Sequence, residues 1–275
     1  MSAAPVAFHP APSWEGVWIA IPAYNEEHTI RGLAEASLRM CPRVMVIDDG
    51  STDETAACVR DLPVTLIRNS ANRGKAASLR AAFSHALAHG ACCVVTIDGD
   101  GQHDPGDAPA LIRAWQERAD CLVIGSRLHD AAAFPRARYL ANRFACFWIS
   151  WAAGHPIADS QSGFRVYSSE VMAIALGERV RGSRFTFESE ILIEAAHHGH
   201  PTLSVRTPAR YPAGARASHY RGVVDTAKIV VMVGGRLLRR GLYLRGLWHS
   251  LRRSHDVAEV GRSMSSPRIR TTSTE

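Results

Sequence analysis

Two aspartates separated by one glycine, Asp98 and Asp100, are the residues of this sequence best suited to do chemistry. They follow the apolar run 92–97, which has the composition of a strand buried on both faces. In an extended chain their carboxylates point to the same side, so they can share one divalent cation and leave its other positions to water and phosphate. An isolated Asp-x-Asp more often caps a turn. The neighbouring motifs must therefore decide whether this is a metal-phosphate site.

The elements that would position these aspartates alternate along the first half of the chain. The strand candidates are residues 17–21, 44–47, 64–67, 92–97 and 121–125. The helix candidates are residues 27–40, 53–60, 75–89, 107–118 and 138–153. This rhythm predicts an α/β fold with a mostly parallel, doubly wound, Rossmann-like sheet and flanking helices. Ligands of such sheets bind where the strands end, which is where the aspartates lie.

Composition limits the possible partners. The chain has 275 residues, 46% of them hydrophobic, and a formal net charge of +6, with Lys75 and Lys228 the only lysines among its basic residues. Arginine suits contacts with phosphate and with anionic lipid. A nucleic-acid partner is not expected, because no basic strand is interleaved with aromatic residues.

Cysteine spacing and the absence of long apolar runs indicate the compartment. The six cysteines lie mostly in apolar runs and never form a C-x-x-C pair, so we expect reduced thiols and no zinc site. Residues 1–15 do not resemble a signal peptide, and no run of about 18 apolar residues is present. The expectation is a cytoplasmic protein, with a disordered N-terminus (1–15) and tail (254–275) around a domain at 16–221.

The segment after the first strand is suited to bind a nucleotide. Pro22 fixes the turn, Tyr24 can stack on a base, and Asn25 or Glu26 can accept a hydrogen bond from the base edge. The competing interpretation, equally weighted, is an ordinary turn with an asparagine cap.

Three further strand ends carry polar or charged groups. Either Asp48 or Asp49 can hold a nucleobase or ribose while the following residues start a helix. Lys75 opens a helix and so favours an anion, although a surface turn is equally possible. Arg127 follows the fifth strand, where it can meet a phosphate or balance local carboxylates.

Taken in order, the segments I-P-A-Y-N-E, D-D-G-S-T-D, N-R-G-K, D-G-D-G-Q-H-D-P, G-S-R and D-S-Q-S-G-F-R resemble the family 2 glycosyltransferases of GT-A fold. Within that family the dolichyl- or polyprenyl-phosphate sugar transferases are similar, over residues 17–210. The resemblance implies metal-dependent, inverting transfer of a sugar from a UDP- or GDP-sugar to a polyprenyl-phosphate or other lipid-linked acceptor. The product would be a glycolipid or a precursor of a cell-envelope glycan.

The same resemblance assigns roles to individual residues. It places Pro22, Tyr24, Glu26 and Asp49 in the nucleotide pocket, and it implies that Mg²⁺ or Mn²⁺ is held on the diphosphate by Asp98, Asp100 and Gln102. Arginines must balance the charge of the leaving nucleoside diphosphate, and water must be kept out. Arg127 and Arg165 are the candidates.

The resemblance also points to the acceptor side. A hydroxyl acceptor would need a carboxylate base, for which the candidates are Asp159, Glu188 and Glu190, whereas a phosphate acceptor is already ionised. Asp159 has an alternative role as a buried partner of Arg165. Because Glu188 and Glu190 are two residues apart on a helix, one of them is alternatively solvated.

The C-terminal third departs from the polyprenyl-phosphate pattern. Arg216, His219 and Arg221 can still grip an anionic group, or they form a solvated basic loop. Residues 222–253 mix apolar groups with arginines, which predicts a basic amphipathic helical region lying on an anionic membrane surface. The alternative is a helix packed on the catalytic domain or on a second subunit.

Other functional classes fit the motifs less well. A phosphohydrolase also uses Asp-x-Asp, but its nucleophile usually follows the first strand. A nucleotidyltransferase would need a glycine-rich basic loop that residues 21–27 lack. A non-catalytic nucleotide-sugar-binding protein of the same fold is the nearest competitor, because its binding residues would look alike.

Overall fold

The computed structural model of the protein describes residues 11–128, 136–182, 185–208, 222–252 and 257–258. Within these ranges the chain forms one sheet of eight strands with helices on both faces. The strands are β1 Val17–Ala23, β2 Val44–Asp48, β3 Thr65–Arg68, β4 Cys93–Thr96, β5 Leu122–Ser126, β6 Arg165–Ser168, β7 Thr202–Arg206 and β8 Val257–Ala258.

Eight α-helices connect or follow these strands in the described part of the chain. They are α1 Ile30–Leu38, α2 Lys75–Ala88, α3 Ala108–Glu117, α4 Arg136–Ala153, α5 Ser169–Leu176, α6 Phe185–His197, α7 Gly222–Arg239 and α8 Leu244–Arg252. The expected α/β architecture, mostly parallel and doubly wound, is confirmed.

The strand order creates a ligand-binding edge at the ends of β1 and β4. The sheet runs β3-β2-β1-β4-β6-β5-β7-β8, so the chain first builds outward from β1 and then returns to its other side with β4. In open α/β sheets ligands bind outside the carboxyl ends of the strands at such a reversal. Asp98 and Asp100 come just after β4, separated from it by Ile97, so they lie at this point.

One antiparallel strand brings a distant segment to the same edge. β6 pairs antiparallel with both β4 and β5, and its first residue, Arg165, lies opposite Thr96, the last residue of β4. The segment that precedes β6 therefore reaches the end of β4 from the other direction. This arrangement places residues 159–164 next to the aspartates.

Alternation along β1 shows why the strand is apolar throughout. Trp18 and Ala20 face a core built with α2, α4, α5, α6 and α7, whereas Ile19 and Ile21 face a second core built with α1 and α3. A strand buried on both faces needs apolar residues at every position. The same rule accounts for the unbroken apolar runs of β2, β4 and β5.

Three local predictions differ from the structure. Residues 53–60 were expected to be helical, but they form turns and a short 3₁₀ helix at Ala57–Val59. The reason is local, because Asp53 Oδ1 accepts from the backbone N–H and the hydroxyl of Thr55 and closes a turn. Val257–Ala258, inside the predicted disordered tail, pairs with β7 as β8. β6 and β7 were not predicted, since short strands with a charged residue give little apolar signal. Of the predicted disordered N-terminus, 1–15, residues 1–10 lie outside the described residues.

The C-terminal helices meet at a sharp corner. Gly241, Leu242 and Tyr243 all have positive φ, at 60°, 65° and 40°. Trp151 of α4 donates from Nε1 to the carbonyl of Leu242 at 3.0 Å and stabilises this turn. A Cβ at Gly154 would collide with the Tyr243 ring, so the glycine leaves room for it. The corner is thereby held against the end of α4.

Candidate active site

Lys75 joins two carboxylates from different elements at the end of β4. Its Nζ lies 2.6 Å from Oδ1 of Asp98 and 3.0 Å from Oε2 of Glu188. Lys75 is the first residue of α2, and Glu188 lies in the first turn of α6. The three side chains are mostly shielded from solvent. The structure thus brings together three predicted site residues that are far apart in sequence.

The electrostatics of this cluster favour the charged forms. Burial acts to lower the pKa of Lys75, but the charges of Asp98 and Glu188 outweigh it and hold that pKa above its ordinary value. Burial likewise acts to raise the pKa of Asp98, and Lys75 outweighs it and lowers that pKa. The cluster therefore holds fixed charges at a partly dry site, where they act strongly on a ligand.

Asp100 occupies a different electrostatic environment. Burial and the charge of Asp98 raise the pKa of the Asp100 carboxyl. Asp100 Oδ1 accepts the backbone N–H of Gln102 at 3.0 Å, which fixes the turn after the strand. A cation between Asp98 and Asp100 would remove this repulsion.

The oxygen donors fit Mg²⁺ or Mn²⁺ that is held jointly by protein and substrate. Asp98 and Asp100 supply hard carboxylate oxygens, while Oε1 of Gln102 already accepts from Arg127 at 2.8 Å. In the described part of the chain, no three His, Cys, Asp or Glu side chains are grouped to chelate a metal. Two carboxylates plus phosphate oxygens and water is the usual donor set of Mg²⁺ in nucleotide sites.

His103 belongs to the site but was not predicted from the sequence. It is 2% exposed, packs against Phe164, and neither ring nitrogen has a hydrogen-bond partner among the described residues. Burial, together with the charge of Arg127, lowers the pKa of His103 to about 3, so the ring is neutral. Its position three residues after Asp100 was the available sequence signal.

Asp49 shapes the site without being exposed to it. Its two carboxylate oxygens accept from Asn69 Nδ2 at 2.8 Å and from the backbone N–H groups of Arg73 and Gly74 at 3.0 and 2.7 Å. These bonds fix the loop that ends at Lys75. Asp49 therefore has a structural role in this loop, and its predicted contact with a nucleobase or ribose stays a prediction, since three bonds do not use all four acceptor sites of a carboxylate.

Asp48 and Asn25 are also tied to neighbouring loops. Asp48 is fully buried, accepts the N–H of Ser51 at 2.9 Å and lies 2.9 Å from Arg68. Asn25, with φ of 57°, accepts the N–H of Thr52 at 2.9 Å through Oδ1. Both side chains thus fix neighbouring loops, and their predicted contacts with a nucleotide stay predictions. Of the other predicted pocket residues, Pro22 is buried, whereas Tyr24 and Glu26 are partly exposed.

Asp159 organises a loop instead of acting as an accessible base. It is fully buried, and its carboxylate accepts three backbone N–H groups, from Arg127, Gln161 and Ser162, each at 3.2 Å. The bond from Arg127 joins the end of β5 to the segment before β6, and the other two close a local turn. Full burial and three accepted N–H groups argue against the predicted role of Asp159 as a catalytic base.

Arg165 has the same scaffolding character. Its guanidinium is fully buried and donates to the carbonyls of Ser162 at 2.7 Å, Ser160 at 2.8 Å and Glu188 at 3.3 Å. It does not pair directly with Asp159. A guanidinium committed to three carbonyls is not available to a phosphate, so its predicted catalytic and phosphate-binding roles are corrected.

Glu190 points away from Glu188 and contacts the C-terminal region. Its Oε2 accepts the N–H of Gly182 at 2.6 Å, and Oε1 lies 3.5 Å from Arg236 of α7. Arg236 also pairs with Glu194. Both Glu188 and Glu190 are at least 90% buried, so neither is the solvated residue that helix spacing suggested. Of the three carboxylates considered as a base, only Glu188 reaches the Lys75 cluster.

Arg127 is placed at the edge of the cluster. It is 6% exposed, donates from Nη1 to Gln102, and its Nε has no partner among the described residues. The predicted acceptor-binding residues Arg216, His219 and Arg221 lie outside the described residues.

Gly163 touches the Asp98 carboxylate and provides a test of this geometry. A Cβ at Gly163 would collide with both Asp98 oxygens. We expect Gly163→Ala to displace Asp98 and weaken Mn²⁺-dependent nucleotide binding about tenfold, since small misplacements of a ligand are costly. Thermal unfolding should change little, because the displaced group is the end of a side chain.

The matched control is Gly32→Ala on α1, where a Cβ would meet nothing within 4 Å. It should bind nucleotide like the wild type. Unchanged metal-dependent affinity in Gly163→Ala would show that Asp98 does not depend on this contact. Calorimetric titration with nucleotide and Mn²⁺ measures both variants.

Comparison with known proteins identifies the family. The sequence profile described as "Glycosyl transferase family 2" matches residues 18–172. That range contains Lys75, Asp98, Asp100, Arg127 and the loop before β6, but not Glu188.

Characterised relatives are similar over most of their length. The UDP-N-acetylglucosamine–dolichyl-phosphate N-acetylglucosaminyltransferase of Methanococcus voltae is 28% identical over 65% of this chain and 79% of its own. The polyprenol monophosphomannose synthase of Mycolicibacterium smegmatis is 28% identical over 68% of this chain and 74% of its own.

Solved structures share the fold. Glucosyl-3-phosphoglycerate synthase from Mycobacterium tuberculosis, crystallised with Mn²⁺, UDP-glucose and phosphoglyceric acid, has a TM-score of 0.61 and 19% identity. The match covers 82% of this chain and 79% of that one. At this identity the likeness establishes the GT-A fold.

Proposed function

This chain belongs to glycosyl transferase family 2, and we propose that it transfers a sugar from a UDP- or GDP-sugar to a polyprenyl-phosphate or other lipid-linked acceptor, using Mg²⁺ or Mn²⁺. The observation that carries the proposal is the cluster of Lys75, Asp98 and Glu188, next to Asp100, at the reversal of strand order. The names of the two characterised relatives support a polyprenol-type acceptor. Family membership favours transfer over the phosphohydrolase and sensor alternatives.

Each residue of the cluster has a distinct part in this reaction. A bound divalent cation supplies charge neutralisation of the leaving diphosphate. Asp98 and Asp100 would hold it, and Lys75 would exchange its bond to Asp98 for a bond to phosphate or sugar. Arg127 supplies a further positive charge. The bond from its Nη1 to Gln102 fixes the guanidinium, and its Nε–H remains able to donate to a ligand. Neutral His103 and Phe164 form a wall that limits water beside the reacting groups.

The nature of the acceptor determines what Glu188 does. A polyprenyl phosphate is ionised near neutral pH and can attack without a base. In that case Glu188 holds Lys75 in place through their ion pair and restricts where the Lys75 ammonium group can lie. With a hydroxyl acceptor, Glu188 is the one carboxylate of the three candidates that is positioned to accept the proton.

A lipid-linked acceptor places the reaction at a membrane surface. Among the described helices, none is long and apolar enough to cross a bilayer. We therefore include peripheral attachment to the inner face of the cytoplasmic membrane in the proposal. Its support is the exposed arginine and apolar content of the C-terminal helices.

Calorimetric binding of UDP and GDP, each with and without Mn²⁺, tests the proposal. We expect one nucleotide to bind with Mn²⁺ and to bind about a hundredfold more weakly without it, because the cation contributes several kcal/mol at the diphosphate. The variant Asp98→Ala/Asp100→Ala should lose the metal-dependent part. If neither nucleotide binds in the presence of Mn²⁺, the proposed donor class is wrong.

A further inference from the structure

The structure divides the predicted amphipathic region 222–253 into two helices with different surroundings. On α7, Ile229, Val233 and Leu237 are at most 2% exposed and belong to the main core. Arg236 fixes the same face to Glu190 and Glu194 of α6. α7 is thus mainly a helix packed on the catalytic domain, which was the alternative to the membrane interpretation. On α8 only Gly246 is buried.

α8 carries an apolar stripe that has no partner in the described part of the chain. Leu244, Trp248 and Leu251 are 65%, 52% and 66% exposed and are spaced four and three residues apart, so they share one face. Gly246 lies on the opposite side, close to the carbonyl of Trp151. The helix therefore contacts α4 through its glycine and presents large apolar side chains outward.

A second apolar stripe lies on α4, in a region where no membrane contact was predicted. Leu140, Phe144 and Phe147 are 66%, 51% and 41% exposed, and the same face continues to Trp151. Phe147 contacts the Trp151 ring, which in turn stacks on Trp148. Three exposed large apolar side chains on one helix face are unusual for a surface that meets only water.

The two stripes meet at the corner between α7 and α8. Trp151, at the end of the α4 stripe, donates to the carbonyl of Leu242, which is itself 46% exposed and precedes the α8 stripe by two residues. The two stripes thus adjoin at this corner, and we call their exposed residues together the α4–α8 face. It consists of Leu140, Phe144, Phe147, Leu242, Leu244, Trp248 and Leu251.

Positive charge surrounds this face. The exposed basic residues nearest to it in sequence are Arg143 on α4, Arg239 and Arg240 at the end of α7, and Arg245 and Arg252 on α8. Arg252 stacks over the Trp248 ring at 4.6 Å. Neither α4 nor α8 contains an acidic residue. Aromatic and aliphatic side chains on two helices that carry arginines and no acidic residue complement a bilayer surface with anionic headgroups.

We propose that the α4–α8 face is the surface by which this protein docks on anionic lipid bilayers. The inference deepens the proposed function, on which it rests for the lipid-linked acceptor. α4 ends next to the corner, and its other end follows β5 and Arg127, so docking through this face places the catalytic edge of the sheet near the bilayer. Because the contact with the bilayer consists of two short apolar stripes and a few arginines, we expect membrane binding to be reversible and to weaken as salt is added.

The test is co-sedimentation of the full-length protein with vesicles of phosphatidylcholine alone or mixed with phosphatidylglycerol, in the absence of substrate. Phe144→Ser/Phe147→Ser and Trp248→Ser/Leu251→Ser should each weaken binding to the anionic vesicles at least about tenfold. Arg245→Glu/Arg252→Glu should weaken it about tenfold and reduce its dependence on salt. Leu66→Ser, at an exposed leucine on the edge strand β3, and Arg60→Glu are the matched controls and should bind like the wild type.

Two results would overturn the inference. One is anionic-vesicle binding that is absent, or that is equal in the wild type and all variants. The other is a concentration-dependent dimer, without vesicle binding, that the Phe144→Ser/Phe147→Ser variant abolishes, since the face would then hold a second copy. Vesicle binding without any nucleotide binding would refute the proposed function and leave this surface intact. If the variants of the α4–α8 face lose sugar transfer to an acceptor embedded in a bilayer but keep transfer to a short soluble acceptor, both the proposed function and the docking surface are supported.

Discussion

Replacing Asp100 by asparagine is expected to lower the rate constant for sugar transfer about a thousandfold while the protein remains folded. The carboxylate is one of two that can hold a cation on the leaving diphosphate, and this charge neutralisation is worth several kcal/mol, at 1.36 kcal/mol per factor of ten. Asparagine keeps the side-chain volume and can still accept the N–H of Gln102, so the turn after β4 should be retained. Removing the repulsion from Asp98, which raises the pKa of Asp100, should leave stability unchanged or slightly increased.

The measurement is initial-rate kinetics over a range of Mn²⁺ concentrations, with the nucleotide chosen by the calorimetry above. Asp120→Asn is the matched control, because Asp120 is exposed and lies just before β5, at the opposite edge of the sheet. It should transfer sugar like the wild type. A rate for Asp100→Asn within tenfold of the wild type, or wild-type activity that survives removal of divalent cations, would show that the aspartate pair does not act through a metal.

The sequence predicted the elements on which this site rests because their signals are local. β1, β2 and β4 are apolar runs buried on both faces, so their positions were visible without tertiary information. Lys75 begins α2, as predicted. Asp98 and Asp100 come just after β4, and any sheet of this topology places them at the ligand-binding edge.

The choice among the three candidate carboxylates could not be made from sequence. Asp159 and Glu190 are chemically as able as Glu188, and the difference lies in which partners the fold places beside them. Asp159 meets the backbone N–H of Arg127 because β6 returns antiparallel beside β5, and Glu190 meets Arg236 because α7 packs on α6. These contacts join residues far apart in the chain, so residue type and spacing do not reveal them.

Exposure of apolar residues was hard to predict for a related reason. Helical periodicity shows that a face is apolar but not what covers it. The apolar faces of α7 and α4 look alike in sequence, yet Val233 is buried whereas Phe144 is half-exposed. Arg165 is the converse case, since a charged residue was assumed to reach a ligand and is in fact fully buried.

Arg165→Met is expected to reduce the free energy of unfolding by roughly 3–5 kcal/mol. Methionine fills much of the volume but leaves the carbonyls of Ser160 and Ser162 without this donor in a dry interior, and it removes the additional bond to the helical carbonyl of Glu188. Removing a buried charge also recovers some desolvation energy. That gain does not offset the loss, because the carbonyls of Ser160 and Ser162 are fixed by the backbone and cannot turn to water.

Thermal and urea denaturation would measure this effect, with a fall in the melting temperature of about 10 °C at 2–4 °C per kcal/mol. Arg165→Lys should fall between methionine and the wild type, because one ammonium group cannot span three carbonyls. Arg60→Met removes an exposed arginine and should leave the melting temperature unchanged. A melting temperature for Arg165→Met within about 2 °C of the wild type, which is under about 1 kcal/mol, would mean that water or rearrangement satisfies the loop. The loop carries Gly163, which contacts Asp98, so loosening it should also weaken metal-dependent nucleotide binding below the unfolding temperature.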